Sequence, residues 1–435
     1  MSPCRRQIGD SIRQIDRPPE EIVTDPTQRN GSYPCPAPFS QLYMVPRALL
    51  DLRFCSYHEP VFVRDQEAFF KEGPEALQRF FEGNQELRRR RDAYLKGDYE
   101  KAGCPSGCFW FQKWKTTGKG FSREEFEDAD RRLHVKRLWL SVGPDCNVTC
   151  RYCLEPKEFH IDFKTCSPSV MGLAEEFVAR GNSILLTGGE PFMSKFKLLP
   201  TLERLAARSQ DGMGYFDIHT NGTYLDQNCR ALILRAPVNV INVSMDTLRP
   251  ELFEYLRRGC KFDKVWKNVN ALVRERNDLG LKKPVVIILC AVMRDTWEHI
   301  EETVQTVVDH GMGISLNALF KGYYSPDFCR EQALTNLSQE QLLTLERTVA
   351  SFETRYGKSG PVHYQGFLGQ VRDLIEAKRA GNTGKQVALG DGGQARRKQG
   401  VIGLVLKGKP RLAVREAINL GAKAKTRLMA TIRGL

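Results

Sequence analysis

No apolar stretch in the 435 residues reaches the roughly 18 needed to cross a bilayer. The nearest, PVVIILCAVM at 284–293, has the length of a strand. The first twenty residues, MSPCRRQIGDSIRQIDRPPE, lack the apolar segment of a secretory signal, so a cytoplasmic protein is expected. Acidic residues are scarce in one place. From Ala395 to the C-terminus a single acid, Glu416, faces eleven Lys or Arg, so this tail carries +10 of the net +13. The basic character therefore belongs to an appendage and not to the body, whose charges nearly balance. With 41% hydrophobic and 27% charged residues, that body can bury a real core.

From about residue 135, strand and helix patterns alternate. RLWLSVG (137–143), SILLTGGEP (183–191), GYFDIHTNG (214–222), VNVINVSMD (238–246), PVVIILCAVM and MGISLNALF (312–320) read as six strands with helical segments between them. Six βα repeats argue a parallel sheet covered by helices, with chemistry at the C-terminal strand ends. The unusual residues fall at those ends: a cysteine triplet, TGGEP, TNG and SMD. The expected organisation is a tail (1–30), a small α+β Cys-rich module (31–130), the βα domain (131–330), a helical extension (331–381), and a Gly-rich linker with a basic tail (382–435). The run Arg88–Arg91 reads as a solvated helix face, with nucleic-acid contact as the sharper alternative. In the tail, Val414, Ile418, Gly421, Leu428 and Ile432 share one face of a possible basic amphipathic helix. It suits an anionic membrane surface, an acidic partner or plain solvation.

Thirteen cysteines are many for a reducing compartment, where clusters of them are read first as metal ligands. Seven cluster; Cys4, Cys166, Cys229, Cys260, Cys290 and Cys329 are scattered and read as small buried hydrophobes. Cys146, Cys150 and Cys153 follow the first strand with spacing Cys-x3-Cys-x2-Cys, and no fourth ligand stands beside them. A closed zinc site wants four protein ligands. Three thiolates suit a cubane iron–sulfur cluster with one iron open to a small molecule.

This triplet, with Tyr152 before its last cysteine, resembles the signature of the radical S-adenosylmethionine (SAM) enzymes. Gly188-Gly189-Glu190-Pro191, Asn221-Gly222 and Ser244-x-Asp246 on the next three βα turns extend the resemblance over about 135–325. It implies a partial (β/α)6 TIM-like barrel and a [4Fe-4S] cluster whose open iron takes SAM. It also implies reductive cleavage to a 5′-deoxyadenosyl radical that abstracts hydrogen from a C–H bond. By the same resemblance, Gly188 to Pro191 would meet the methionine amino group and Tyr152 would lie by the adenine. Ser244 would touch the ribose or carboxylate, Arg257 would pair with the carboxylate, and Leu316 would pack on adenine. Asn221 and Asp246 join the cofactor-binding set. His219 reads as a satisfied strand-end histidine, with a catalytic base as the alternative.

Cys35, Cys55, Cys104 and Cys108 offer four thiolates, enough to close a second cubane. With Asn84 and Leu87 opening a helix that leads to the Cys104/Cys108 pair, this region looks like the SPASM/twitch module of certain radical SAM enzymes. Here it precedes the barrel instead of following it. A zinc ion on the same four cysteines is the competing reading. The resemblance implies an enzyme performing oxidative tailoring on a peptide or a sugar- or cyclitol-like substrate, with an external donor such as flavodoxin or ferredoxin. The alternatives are a non-catalytic iron–sulfur electron carrier and a zinc-containing nucleic-acid binder; direct nucleic-acid contact is not expected of the enzyme.

Overall fold

In the computed structural model the described residues are 33–380, apart from 46–49, 56–57, 59–60, 64, 105–107, 119, 128–131, 144, 154–167, 195–196, 209–210 and 320–324. The expected tails and linker, and the scattered Cys4 and Cys166, lie outside them. Strands β4 (Arg137–Ser141), β6 (Ser183–Thr187), β7 (Tyr215–Thr220), β8 (Val238–Ser244), β10 (Val285–Val292) and β11 (Gly313–Ala318) pair parallel in chain order. Each is followed by helix, as βαβ chirality and strand twist demand. The result is the expected open six-stranded barrel.

Local sequence explains the elements. β10, VVIILCAV, is β-branched along most of its length. The helix Phe262–Asp278 places Phe262, Val265, Val269, Leu272 and Val273 on its buried face at helical spacing. Ser338 and Gln341 form a reciprocal capping box at the start of Gln339–Tyr356. Gly222 adopts φ 77° between strand and helix, where a Cβ would press to 2.9 Å from Val265.

The Cys-rich module is fused to the barrel through its sheet. β1 (Gln41–Val45) pairs parallel with β4, and β2 (Leu50–Arg53) and β3 (Val61–Val63) extend it antiparallel. On the far edge, β12 (Val362–His363) adds parallel to β11, giving ten strands in one sheet. Two edges of an open barrel are then brought together by helices. The helix Phe109–Thr117, which follows Cys108, packs on Gln365–Arg379, with Gln112 Nε2 donating to Asp373 Oδ2 at 2.7 Å. Gln78 pins the entry to β4 by donating to Leu133 O (2.8 Å) and accepting from Val135 N (2.9 Å).

The arginine run departs from expectation. Within Gln85–Leu95, Arg90 is buried and its Nε donates to Glu86 at 2.7 Å. Arg91 lies 4.4 Å over the Phe81 ring and 5.3 Å over Phe54 while donating to Pro38 O. Arg89 stays exposed beside Glu86. An uninterrupted run of four must reach around a 3.6-residue turn, so part of it faces inward. Arg91→Ala is therefore expected to cost about 2 kcal/mol, because a cation–π contact and a partly buried hydrogen bond go together. Arg89→Ala should change stability by less than about 0.5 kcal/mol in the same denaturant titration.

Candidate functional site

The cysteine triplet sits on a loop held from below. β5 (Thr149–Cys150) pairs antiparallel with β9 (Arg257–Arg258), setting Cys150 opposite Arg257. Arg151 N–H donates to Leu256 O at 2.9 Å, and Cys153 N–H turns back to Cys150 O at 3.3 Å. Cys146 is approached by Asn221 Nδ2 at 3.6 Å, which also donates to Asn147 Oδ1 at 2.9 Å. Thr223 closes this small network through Asn221 Oδ1 and Asn147 Nδ2. Burial pushes the Cys146 thiol up to about 11 and raises Cys150 too, against the opposing pull of Arg257. Such thiols become thiolates when a metal takes the proton's place.

The glycine turn is a cradle that only glycine can form. Gly188 has φ 115°, and a Cβ on Gly189 would stand 1.8 Å from Asp145 O. Gly189 N–H donates to Gly143 O, and Glu190 N–H to Asp145 O. The Glu190 side chain is consumed internally. It has no exposed surface and accepts from Asn221 N (2.7 Å), Thr220 Oγ1 (2.8 Å) and Phe192 N (3.2 Å), while burial pushes its carboxyl up to about 7. Glu190 thus ties the second βα turn to the third, and the turn's backbone at Gly188–Pro191 is what remains to meet a ligand.

Asp246 gathers the fourth turn. Its Oδ2 accepts from Tyr152 OH at 2.5 Å and pairs with Arg257 at 2.9 Å, and its Oδ1 accepts from Ala291 N at 3.2 Å. Arg257 also lies 5.4 Å over the Tyr152 ring and 4.0 Å from Cys150 Sγ. Its Nε is buried with no partner, an orphan donor beside the cysteine loop. Ser244 is half-buried at the end of β8. Leu316 is placed apart from the rest: it has no exposed surface and points to the face of β11 opposite Ser315 and Asn317.

The second cysteine set is brought together. Burial pushes Cys35 up to about 12, with Cys108 and Cys55 adding to it, and Cys104 rises through burial and the nearness of Cys35, Cys55 and Cys108. The Cys108 thiol, also raised by burial, receives backbone N–H groups of Phe111 and Trp110 at the start of its helix. Tyr94 clamps Cys35, accepting from its N–H at 2.9 Å and donating to its carbonyl at 3.1 Å. Buried Arg90 stands near Cys104, and His58 Nε2 lies 3.6 Å from its sulfur. Among the described residues no three Cys, His, Asp or Glu side chains converge on one metal ion. Cys229, Cys260, Cys290 and Cys329 are buried, as expected.

Several residues here carry no motif. Arg137 pairs with Asp217 at 2.7 Å, and Asn239 donates to the same carboxylate at 3.0 Å. The His219 ring is 6.5 Å from Trp139, whose Nε1 is buried without a partner. They line the sheet face turned from the helices. In the sequence they stand as polar side chains among the apolar residues of strands, as Asp217 and His219 do two positions apart in β7. His219 itself is half-buried near the end of β7.

Residues 140–307 match the family model of the radical SAM superfamily. A GTP 3′,8-cyclase of Peptoclostridium acidaminophilum is 30% identical over 189 residues, 42% of this chain and 54% of that protein. One from Rhizobium etli is 29% identical over 236 residues, 53% of this chain and 64% of that one. The chain thus spans between half and two thirds of the length of these relatives. Among solved structures, Streptococcus suis SuiB bound to precursor peptide SuiA aligns at TM-score 0.39 and 16% identity, over 75% of this chain and 69% of that one. No helix among the described residues is long and apolar enough to cross a membrane.

Asp246→Ala leaves Arg257 charged, buried and unpaired, and should cost roughly 3–5 kcal/mol in equilibrium unfolding. A pH effect follows from His219, whose ring burial, aided by Arg137, lowers to about 4 from 6.5. Between those values the unfolded chain binds a proton that the folded one refuses. This contribution to stability is therefore present above about pH 6.5 and lost as pH falls toward 4. His219→Gln should flatten the unfolding free energy against pH in that window.

Proposed function

We propose, from the premise that residues 140–307 form a radical SAM domain, that this protein reductively cleaves SAM and removes a hydrogen atom from a C–H bond of a polar substrate. The observation that carries the reading is the juxtaposition at one barrel mouth of three thiols, a side-chain-free turn and an orphan guanidinium donor. Cys146, Cys150 and Cys153 would hold a [4Fe-4S] cluster, which when bound supplies the electron that breaks the sulfonium bond of SAM on its open iron. Asn221 orients Cys146. The backbone of Gly188–Pro191 would receive the amino group of SAM, Arg257 Nε its carboxylate and Ser244 its ribose. Tyr152 and Asp246 hold Arg257 in place.

Cys35, Cys55, Cys104 and Cys108 would hold a second [4Fe-4S] cluster in a SPASM/twitch-like module. The electrostatic coupling of Cys35, Cys55, Cys104 and Cys108 to one another supports this reading. A zinc ion on the same four cysteines is the competing reading, and iron, sulfide and zinc analysis of the purified protein separates the two. The cradle for SAM argues against a plain electron carrier or a zinc-dependent nucleic-acid binder. Electrons would come from an external flavodoxin- or ferredoxin-like donor.

The sheet face lined by Arg137, Asp217, Asn239, His219, Ser315 and Asn317 suits a substrate rich in hydrogen-bonding groups. Oxidative tailoring of a peptide or a sugar- or cyclitol-like molecule fits it. A purine nucleotide is the second reading, favoured by the relatives named GTP 3′,8-cyclase.

Anaerobic reconstitution should give about eight irons per chain and dithionite-driven 5′-deoxyadenosine. Cys150→Ala should abolish that cleavage; unchanged 5′-deoxyadenosine from this variant sinks the assignment. Cys104→Ala should keep cleavage, fall to about four irons and lose product. Supplying GTP and following new nucleotide products separates the two substrate readings.

A further inference from the structure

We propose that His58 sets the reduction potential of the auxiliary cluster by donating its Nε2–H to the Cys104 sulfur, acting as a positioning and tuning residue and not as a ligand. The inference rests on the assignment of an iron–sulfur cluster to Cys35, Cys55, Cys104 and Cys108.

His58 is 3% exposed, so each of its ring nitrogens must be accounted for inside the protein. It follows Cys55 by three residues, and its backbone N–H donates to Cys55 O at 3.2 Å. Its carbonyl accepts from Arg53 Nη1 at 2.5 Å, and its ring stands edge-on to Phe54 with centroids 5.7 Å apart. On the other side lies Gly103 at φ 91°, whose position faces His58 Cδ2. Backbone and ring are therefore both held, and the ring offers Nε2 to Cys104 Sγ at 3.6 Å.

The tautomer follows from satisfaction. Nδ1 is buried with no partner. A neutral imidazole carries one N–H; placed on Nδ1, it would be a buried donor with no acceptor. Placed on Nε2, it meets the sulfur and leaves only an unshared lone pair behind, the lesser cost. A thiolate bound to iron is a better acceptor than a thiol, so cluster binding strengthens this contact.

The effect has a sign. Reduction adds negative charge that spreads onto the sulfurs, and a hydrogen bond to one of them favours the reduced state. His58 thus raises the potential, making the cluster a better electron acceptor. Arg90, buried near the same sulfur, acts in the same direction through its charge.

The test uses the full chain in a Cys150→Ala background, where the auxiliary cluster is the one left to titrate. Iron and sulfide per chain, the EPR spectrum of the reduced protein and its midpoint potential are measured for His58, His58→Phe, His58→Leu and His58→Gln. Phe keeps an aromatic ring against Phe54 without an N–H, and Gln restores a donor. At about four irons each, Phe and Leu should titrate at a more negative potential than His58, with Gln moved back toward it. An unchanged potential in the variants without a donor overturns the proposal. Loss of the cluster from Phe, Leu and Gln alike also overturns it, because His58 would then be a ligand or a fold element. If the Cys150→Ala parent itself holds no iron, the auxiliary cluster fails first, and the missing signal distinguishes that failure from a mistaken role for His58.

Discussion

A guanidinium removed from water must be paired, and here that requirement organises the barrel mouth. Arg257 is brought in opposite Cys150 by the two-residue ladder of β5 and β9, and its partner Asp246 comes from the end of β8. Tyr152, from the cysteine loop, donates to the same carboxylate oxygen, and Ala291 at the end of β10 donates to the other. One ion pair therefore fixes three loops relative to each other. A buried pair of this kind contributes little net stability, because desolvation offsets most of the attraction. Its value is geometric: a displaced loop would leave a charge unpaired, so the cysteine loop has one acceptable position.

Glu190 does the same for the adjacent turns with hydrogen bonds. Its carboxylate collects donors from the third βα turn, while Gly189 lets the second turn close onto Asp145 without a Cβ in the way. The two devices leave different things free. Around Glu190 the unclaimed surface is backbone; around Asp246 it is the Nε of Arg257. An amino-acid moiety, with its ammonium and carboxylate, matches that division.

The barrel was legible because six strands in a row carried the parallel-sheet pattern and the unusual residues stood at their ends. The cysteines were legible by type and spacing. Other features depended on geometry that a linear pattern does not carry. The pairing of β1 with β4, which fuses the Cys-rich module into the sheet, joins segments about a hundred residues apart. Whether Arg90 or Arg89 turns inward depends on helix phase, and an unbroken charged run conceals that phase. The face that Leu316 takes is likewise set by strand alternation: it is buried while Ser315 and Asn317 take the other face. His58 is separated from its sulfur partner by 46 residues, and no spacing rule points to it.

The two thiol sites differ in a way that electrostatics makes coherent. Three thiolates around a cubane leave it one unit less negative than four, and the open iron can then accept a further anionic ligand. The triplet accordingly has one buried guanidinium beside it, already shared with Asp246. The four-cysteine set lies in aromatic surroundings made by Phe39, Phe54, Tyr94 and Tyr99, and a four-thiolate cubane there would be closed and more negative. There a cluster needs compensating charge and donors from within the protein. Arg90 near Cys104, the backbone N–H groups at Cys108 and the imidazole of His58 are placed where that charge would fall. The arginine that sequence placed on a solvated face is, in the folded chain, buried beside Cys104.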